Sequence, residues 1–376
     1  MEELLMATND VVFQSLGTAC GKHIGIATLN VEAALNALNL DMVKALMRQL
    51  RAWQQDDTTV AVILDGSSDK AFCAGGDIRA LYQAAKDSDG NIADAVTEFF
   101  SEEYQLDYLI HTFGKPLLVW GDGIVMGGGL GLMVGASHRV VTEFSRIAMP
   151  EVSIGLYPDV GGSYFLNRMP GKLGLFVALT AYPLKAADCL YTGLATHYLL
   201  RDDKQLLLDK LAEVNWGMNT SLNKQKFSDV LVALRNQLGR TLTISPLKKH
   251  QALLDELMSG SLLEIDSKLN ALSADFDWLA KARANYLAGS PLSIHLGFKQ
   301  SQLGTDKSLA ACFRQELDWS ANCTLHGDFI EGVRALLIDK DKMPVWQVSQ
   351  VSEVTDAMLS KLLTSPWLES HPLKHL

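Results

Sequence analysis

Cysteine is sparse in this sequence: five in 376 residues, at positions 20, 73, 189, 312 and 323, with no CxxC pair. An odd, scattered set builds neither a disulfide framework nor a zinc site, so reduced thiols in a cytoplasmic compartment are expected. Charge is lean, at 20% of residues, and tilts acidic to a formal net −10. A surface of that sign repels nucleic-acid backbones, and no nucleic-acid partner is expected. A small anionic ligand stays compatible, because local basic groups and helix N-termini outweigh a global field at short range. The nine histidines form no HExxH motif, and no metal is expected. Long apolar runs are missing too. Leu117 to Ala136 has only Asp122 as a charge, but seven glycines and the Asp122-Gly123 turn break it. It reads as a buried strand, a turn and a buried helix, and no membrane partner is expected. The start, Met1-Glu2-Glu3-Leu4-Leu5, lacks the basic residues and apolar run of a signal peptide.

What is present is ample core material, at 48% hydrophobic residues. Strand-like runs at His23–Thr28, Val60–Leu64, Leu117–Trp120 and Arg139–Thr142 alternate with helical periodicity at Ala33–Trp53 and Ile92–Phe113. Val60–Leu64 is continuously apolar, as a strand buried on both faces would be. Asp77 is placed to cap a helix running through Ala80 and Tyr82. This alternation predicts an α/β core of right-handed crossover units. Beyond about residue 200, strand-like runs become rare. Leu206–Val214, Phe227–Leu238 and Leu262–Leu279 read as amphipathic helices. The expected division is an α/β core over 1–200 and a mainly helical region over 201–376.

Two glycine turns carry the chemistry: Cys73-Ala74-Gly75-Gly76-Asp77 and Met126-Gly127-Gly128-Gly129. Each follows a buried apolar run or its turn, and each precedes a helix. Backbone N–H groups at such a junction lack intrahelical partners, and the helix dipole favours negative charge there. Glycine lets a ligand oxygen come close. Two such N–H groups aimed at one point hold a developing oxyanion; close helix–sheet packing is the plain alternative. Neither turn has the Gly-Lys-Ser/Thr of a phosphate-binding loop.

The order and spacing of several pieces resemble the crotonase, or enoyl-CoA hydratase/isomerase, superfamily. They are Thr28-Leu29-Asn30 with Ala34-Leu35-Asn36-Ala37-Leu38; Lys70 to Arg79 around the first turn; Lys115-Pro116; Asp122 to Gly129; and Met149-Pro150-Glu151. The resemblance implies a ββα-superhelix spiral core that binds an acyl-CoA, with Gly76 and Gly128 as the N–H donors to a thioester oxygen. It implies no metal or redox cofactor, since CoA belongs to the substrate. The family's trimers and paired trimers leave a homo-oligomer open.

The carboxylates separate the family's activities. Hydratases share a Glu three residues after the middle glycine, where this chain has Gly131. A hydratase needs two carboxylates around one water, and here only the second, Glu151, remains. Tyr157-Pro158-Asp159-Val160-Gly161-Gly162 offers Asp159, and Ser101-Glu102-Glu103-Tyr104 offers Glu103. These pieces, and the tail Asp328 to Ala335 followed by Asp339-Lys340-Asp341, resemble the branch of the family that hydrolyses 3-hydroxyacyl-CoA thioesters. That resemblance implies hydrolysis of a short 3-hydroxyacyl-CoA, foremost 3-hydroxyisobutyryl-CoA in valine breakdown, with Glu151 and Asp159 catalytic and Glu103 at the substrate hydroxyl. Hydration or isomerisation of an enoyl-CoA, and acyl-CoA binding without catalysis, stay open. So do blander roles: Asp159 as a helix cap, Glu103 on a solvated helix face, and Cys73 as buried filler.

Overall fold

A computed structural model describes residues 9–272, 277–367 and 370–376. The acidic start, Met1–Leu5, lies outside the described residues. The chain forms two compact units. The first takes residues 1–76, 106–147 and 184–244; the second takes 77–105, 148–183 and 245–376. Each unit therefore draws on residues from both sides of residue 200.

The first unit is built on a six-stranded sheet. Its strands are β1 (Val11–Gly17), β2 (His23–Leu29), β3 (Thr59–Gly66), β5 (Leu117–Gly121), β7 (His138–Val141) and β9 (His197–Tyr198), side by side in that order. β1 runs antiparallel to β2, and every later pairing is parallel. Three short strands, β4 (Ala71–Cys73), β6 (Ile124–Met126) and β8 (Arg146–Ala148), make a second sheet. Along the chain each long strand β3, β5 and β7 is followed by one short strand. A helix or helical turn comes next: Ile78–Lys86, Gly128–Val134 and Glu151–Ile154. That repeat is the ββα spiral. Parallel neighbours require such crossovers, and the buried strands they cover read as continuous apolar runs. β3 is buried up to its last residue.

One face of the sheet, with Ile24, Ile63, Leu118 and Val140, is covered by Leu207, Leu211, Phe227, Leu231 and Leu234. These come from helices Lys204–Glu213 and Thr220–Gln237. Among the described residues no helix is long and apolar enough to cross a membrane.

The helix expected over Ala33–Trp53 begins only at Leu40 and runs to Gln55, with Asn39 accepting from the Met42 N–H at 2.8 Å. Upstream, Leu35 and Asn36 take left-handed backbone (φ 53° and 56°). Tertiary bonds override helical periodicity there. Leu38 N–H donates to Gly75 O at 2.7 Å, and Ala74 N–H donates to Leu35 O at 3.0 Å. Buried Asn36 accepts from Val31 N–H and donates to Ala71 O.

The second unit is mainly helical. The periodicity over Leu262–Leu279 resolves into helices Leu262–Ala271 and Asp277–Ala288; residues 273–276 between them lie outside the described residues. Helices Leu173–Thr180, Pro291–Leu303 and Leu309–His326 each bury more than half of their residues.

Candidate active site

In the first unit the two glycine turns meet. Gly75 has φ +112°, and a methyl built on it would lie 3.3 Å from Met126 O and 3.8 Å from Gly128 N. A methyl on Gly129 would overlap the Cys73 carbonyl. These contacts explain the glycines: one turn's backbone is laid against the other's. The 35–38 segment braces the first turn through the bonds already described. The second turn opens helix Gly128–Val134 from Gly127, whose φ is 49°. Among the described residues neither Gly76 N–H nor Gly128 N–H donates to a backbone acceptor. Cys73 is fully buried and lies within this packing. Gly131 is buried in the Gly128–Val134 helix.

In the second unit, Glu103, Glu151 and Asp159 form one buried acidic cluster, at 2%, 4% and 4% exposure. Glu103 sits on helix Asp94–His111, so the solvated-face alternative does not hold. Glu151 opens the 3-10 turn Glu151–Ile154, which ends at Gly155 with φ 71°. This turn is tightly boxed. A methyl on Gly155 would overlap the Asp328 backbone, and one on Gly332 would overlap Ile154. Ser290 N–H also donates to Val152 O at 3.0 Å. The tail segment from Asp328 thus braces Glu151. Asp328 is itself held by Ser290 Oγ at 2.6 Å, and Arg334 pairs with Glu331, Asp339 and Asp341.

Asp159 is not the cap of the next helix, Gly162–Phe165; Gly161 occupies that position. Its Oδ2 accepts instead from the Tyr104 hydroxyl at 2.6 Å. Tyr104 also bonds Ser320 Oγ at 2.8 Å, and Ser320 bonds Tyr157 Oη at 3.2 Å. The loop turns through Val160 (φ 48°) and Gly161 (φ 88°). Glu316 spans that turn: its Oε2 accepts from Gly161 N–H at 2.7 Å and its Oε1 from Ser163 N–H at 2.8 Å. Gln300 Nε2 donates to Pro158 O and to Ser163 Oγ.

Burial dominates the electrostatics. It pushes Asp159 up to about 6, against the pull of the Tyr104 hydroxyl. Burial and then the Asp159 charge raise Glu103 well above the ordinary range. Glu151 is raised by burial, then by Asp159 and Glu103. All three carboxyls therefore hold their protons to higher pH than an exposed carboxyl does. Tyr104 is raised by burial and by Asp159, so it stays protonated and donates. One oxygen each of Glu103 and Glu151 has no hydrogen-bond partner among the described residues. A buried, unpaired carboxyl oxygen is costly and is available to a reacting molecule.

Sequence reading missed Tyr104, Ser320, Glu316 and Gln300 as parts of this site. For Glu316 a signal existed: it falls among Cys312, Phe313, Leu317 and Ser320 on the buried side of its helix. A charge on an apolar stripe calls for partners.

A ββα spiral whose glycine turns carry two such N–H groups is the crotonase fold. The enoyl-CoA hydratase/isomerase family model matches residues 24–363, and the chain belongs to that family. It is 40% identical to "3-hydroxyisobutyryl-CoA hydrolase, mitochondrial" of Danio rerio, over 98% of this chain and 92% of the relative. It is 38% identical to the Homo sapiens protein of the same name, over 89% and 85%. Among solved structures, an enoyl-CoA hydratase from Rhodobacter sphaeroides 2.4.1 superposes with a TM-score of 0.82 at 30% identity, covering 95% of this chain and 98% of its own. A carnitinyl-CoA dehydratase from Mycobacterium thermoresistibile gives 0.81 at 32%, covering 95% and 97%. The relatives' names overturn the cytoplasmic location expected from the cysteines, because those proteins are mitochondrial. None of the five cysteines is in a disulfide, but reduced thiols speak only against oxidising compartments and do not separate one reducing compartment from another.

Proposed function

We propose that the chain hydrolyses a short 3-hydroxyacyl-CoA thioester, with 3-hydroxyisobutyryl-CoA as principal substrate, to 3-hydroxyisobutyrate and CoA. The observation that carries this is Glu151: a buried carboxyl with an unpartnered oxygen, on a braced turn, in electrostatic contact with a second acid, Asp159. The hydrolase relatives, similar over nearly the whole chain, support it. So does Gly131, where a hydratase has its other carboxylate.

The roles follow the chemistry of each group. Gly76 and Gly128 N–H groups receive the thioester oxygen as it gains charge, each worth about 3–4 kcal/mol in comparable sites. Glu151, once ionised, attacks the carbonyl to give a mixed anhydride that water then opens, or it takes a proton from the attacking water. In either course a C–O bond forms, the C–S bond breaks, and sulfur leaves with the electron pair and gains a proton. Asp159, held by Tyr104, orients the substrate hydroxyl or water, and the proton that sulfur gains comes from the water consumed in the reaction. Glu103 completes the polar wall at the 3-hydroxyl. The chain needs no metal or redox cofactor for these steps, and CoA enters as part of the substrate.

Purified protein is expected to release CoA from 3-hydroxyisobutyryl-CoA, read with a thiol reagent. A single turnover in ¹⁸O-water places the label on Glu151 only if it is the nucleophile. The names of the two solved structures favour a second reading, hydration of an enoyl-CoA. Crotonyl-CoA decides between them. Loss of its conjugated absorbance without thiol release from the hydroxyacyl substrate would overturn hydrolysis.

A further inference from the structure

We propose that Glu316 and Gln300 are positioning residues for catalysis, clamping from two helices the loop that carries Asp159. This rests on the hydrolase function proposed above. The loop needs such a clamp. It passes through two consecutive left-handed residues, Val160 and Gly161, and a β-branched residue pays a steric penalty there. Val160 is fully buried, so its side chain has no freedom to relieve that strain. Only surrounding bonds keep such a conformation.

Those bonds are unusually complete for one side chain. Glu316 accepts one backbone N–H with each oxygen, from Gly161 and from Ser163. Its own backbone carbonyl accepts the Tyr157 hydroxyl at 2.8 Å. One residue thus touches the loop at positions 157, 161 and 163, on both sides of Asp159. Gln300 secures Pro158 O and Ser163 Oγ from helix Pro291–Leu303. One turn along the helix from Glu316, Ser320 bonds Tyr104, the donor to Asp159. The backbone beneath Asp159 and the hydroxyl on its carboxylate are therefore fixed from the same helix, Leu309–His326. A clamp acts on kcat through geometry, since misplacing a reacting group by about 1 Å costs on the order of 100-fold.

The test uses the full chain with Glu316→Gln, which keeps the shape but turns one acceptor into a donor facing an N–H. Gln300→Met serves as the second variant, removing both its bonds with little change in size. Hydrogen–deuterium exchange reads the clamp without reference to activity. Gly161 and Ser163 amides are expected to lose protection in Glu316→Gln, and the 157–163 segment is expected to loosen in Gln300→Met. Kinetically, each variant is expected to lower kcat by about 10- to 100-fold with KM nearly unchanged. Combined with Asp159→Asn, neither adds a further loss, because both act through Asp159. Wild-type amide protection in Glu316→Gln, or losses that multiply with Asp159→Asn, would overturn the proposal. If Glu316→Gln does not fold, the Gln300→Met cycle decides. Wild-type protein that releases no CoA strikes the hydrolase function alone, and the exchange result still decides the clamp.

Discussion

Replacing Asp159 by Asn is expected to stabilise the fold at alkaline pH while removing activity. Asn keeps an oxygen to accept from Tyr104 but cannot ionise. In the wild type, burial lifts Asp159 from 3.8 to about 6, so the folded state holds this proton more tightly than the unfolded chain. The sign follows by linkage: stability is full below pH 3.8 and falls as pH rises through about 6. The shift of roughly two units corresponds to about 3 kcal/mol at pH 8, of which about half has accrued by pH 5. Removing the charge also relieves Glu103 and Glu151, which it raises, and that adds in the same direction. Urea unfolding of both proteins at pH 5 and pH 8 measures the effect, because groups common to both cancel. The advantage of Asn is expected to grow by roughly 1–2 kcal/mol between the two pH values. An advantage that stays constant, or a variant less stable at pH 8, would refute the electrostatic reasoning. A carboxyl that destabilises its own fold when charged is held in place at a cost to stability, as functional groups often are.

Glu151→Gln is expected to bind acyl-CoA with near wild-type affinity and lose about 100-fold or more in kcat; isothermal titration and the thiol assay read the two halves, and unchanged turnover removes Glu151 from the mechanism. The rising limb of kcat/KM against pH is expected above the ordinary carboxylate range, since Glu151 must lose a proton that burial and Asp159 hold; Asp159→Asn should move whatever rate remains toward lower pH, and a limb near 4.5 in the wild type contradicts this. Gly129→Ala pushes a methyl into the Cys73 carbonyl and is expected to cost about 1–3 kcal/mol, with a fall in kcat/KM; a variant with wild-type melting and activity means the turns are not packed as described.

Local signals in the sequence carried the spiral well, because buried parallel strands are apolar along their length. Val60–Leu64 lies inside β3, and Leu117–Trp120 inside β5. Asp77 caps its helix through the Ala80 N–H at 3.2 Å. Periodicity failed at Ala33–Leu38 because that segment answers to the first glycine turn rather than to its own neighbours. The acids divide in the same way. Glu151 and Asp159 stand in a punctuated loop that spacing alone can single out, whereas Glu103 looked half-solvated because Glu102 and its neighbours are polar. Glu316 lies 155 positions from the Gly161 it binds, and no local pattern reports so long a bond.

That separation has a consequence for synthesis. On the ribosome the chain emerges from its N-terminus at about 5–20 residues per second. Glu103, Glu151 and Asp159 are all outside the tunnel well before Glu316 and Ser320 exist. For several seconds the nascent chain carries its acids without the helix that binds their loop and without the tail that boxes Glu151. A chain stalled in that interval has its chemical groups but no buried site in which to raise their pKa values. Competence to react therefore arrives late, only once the segments carrying Glu316, Ser320 and Asp328 have been made.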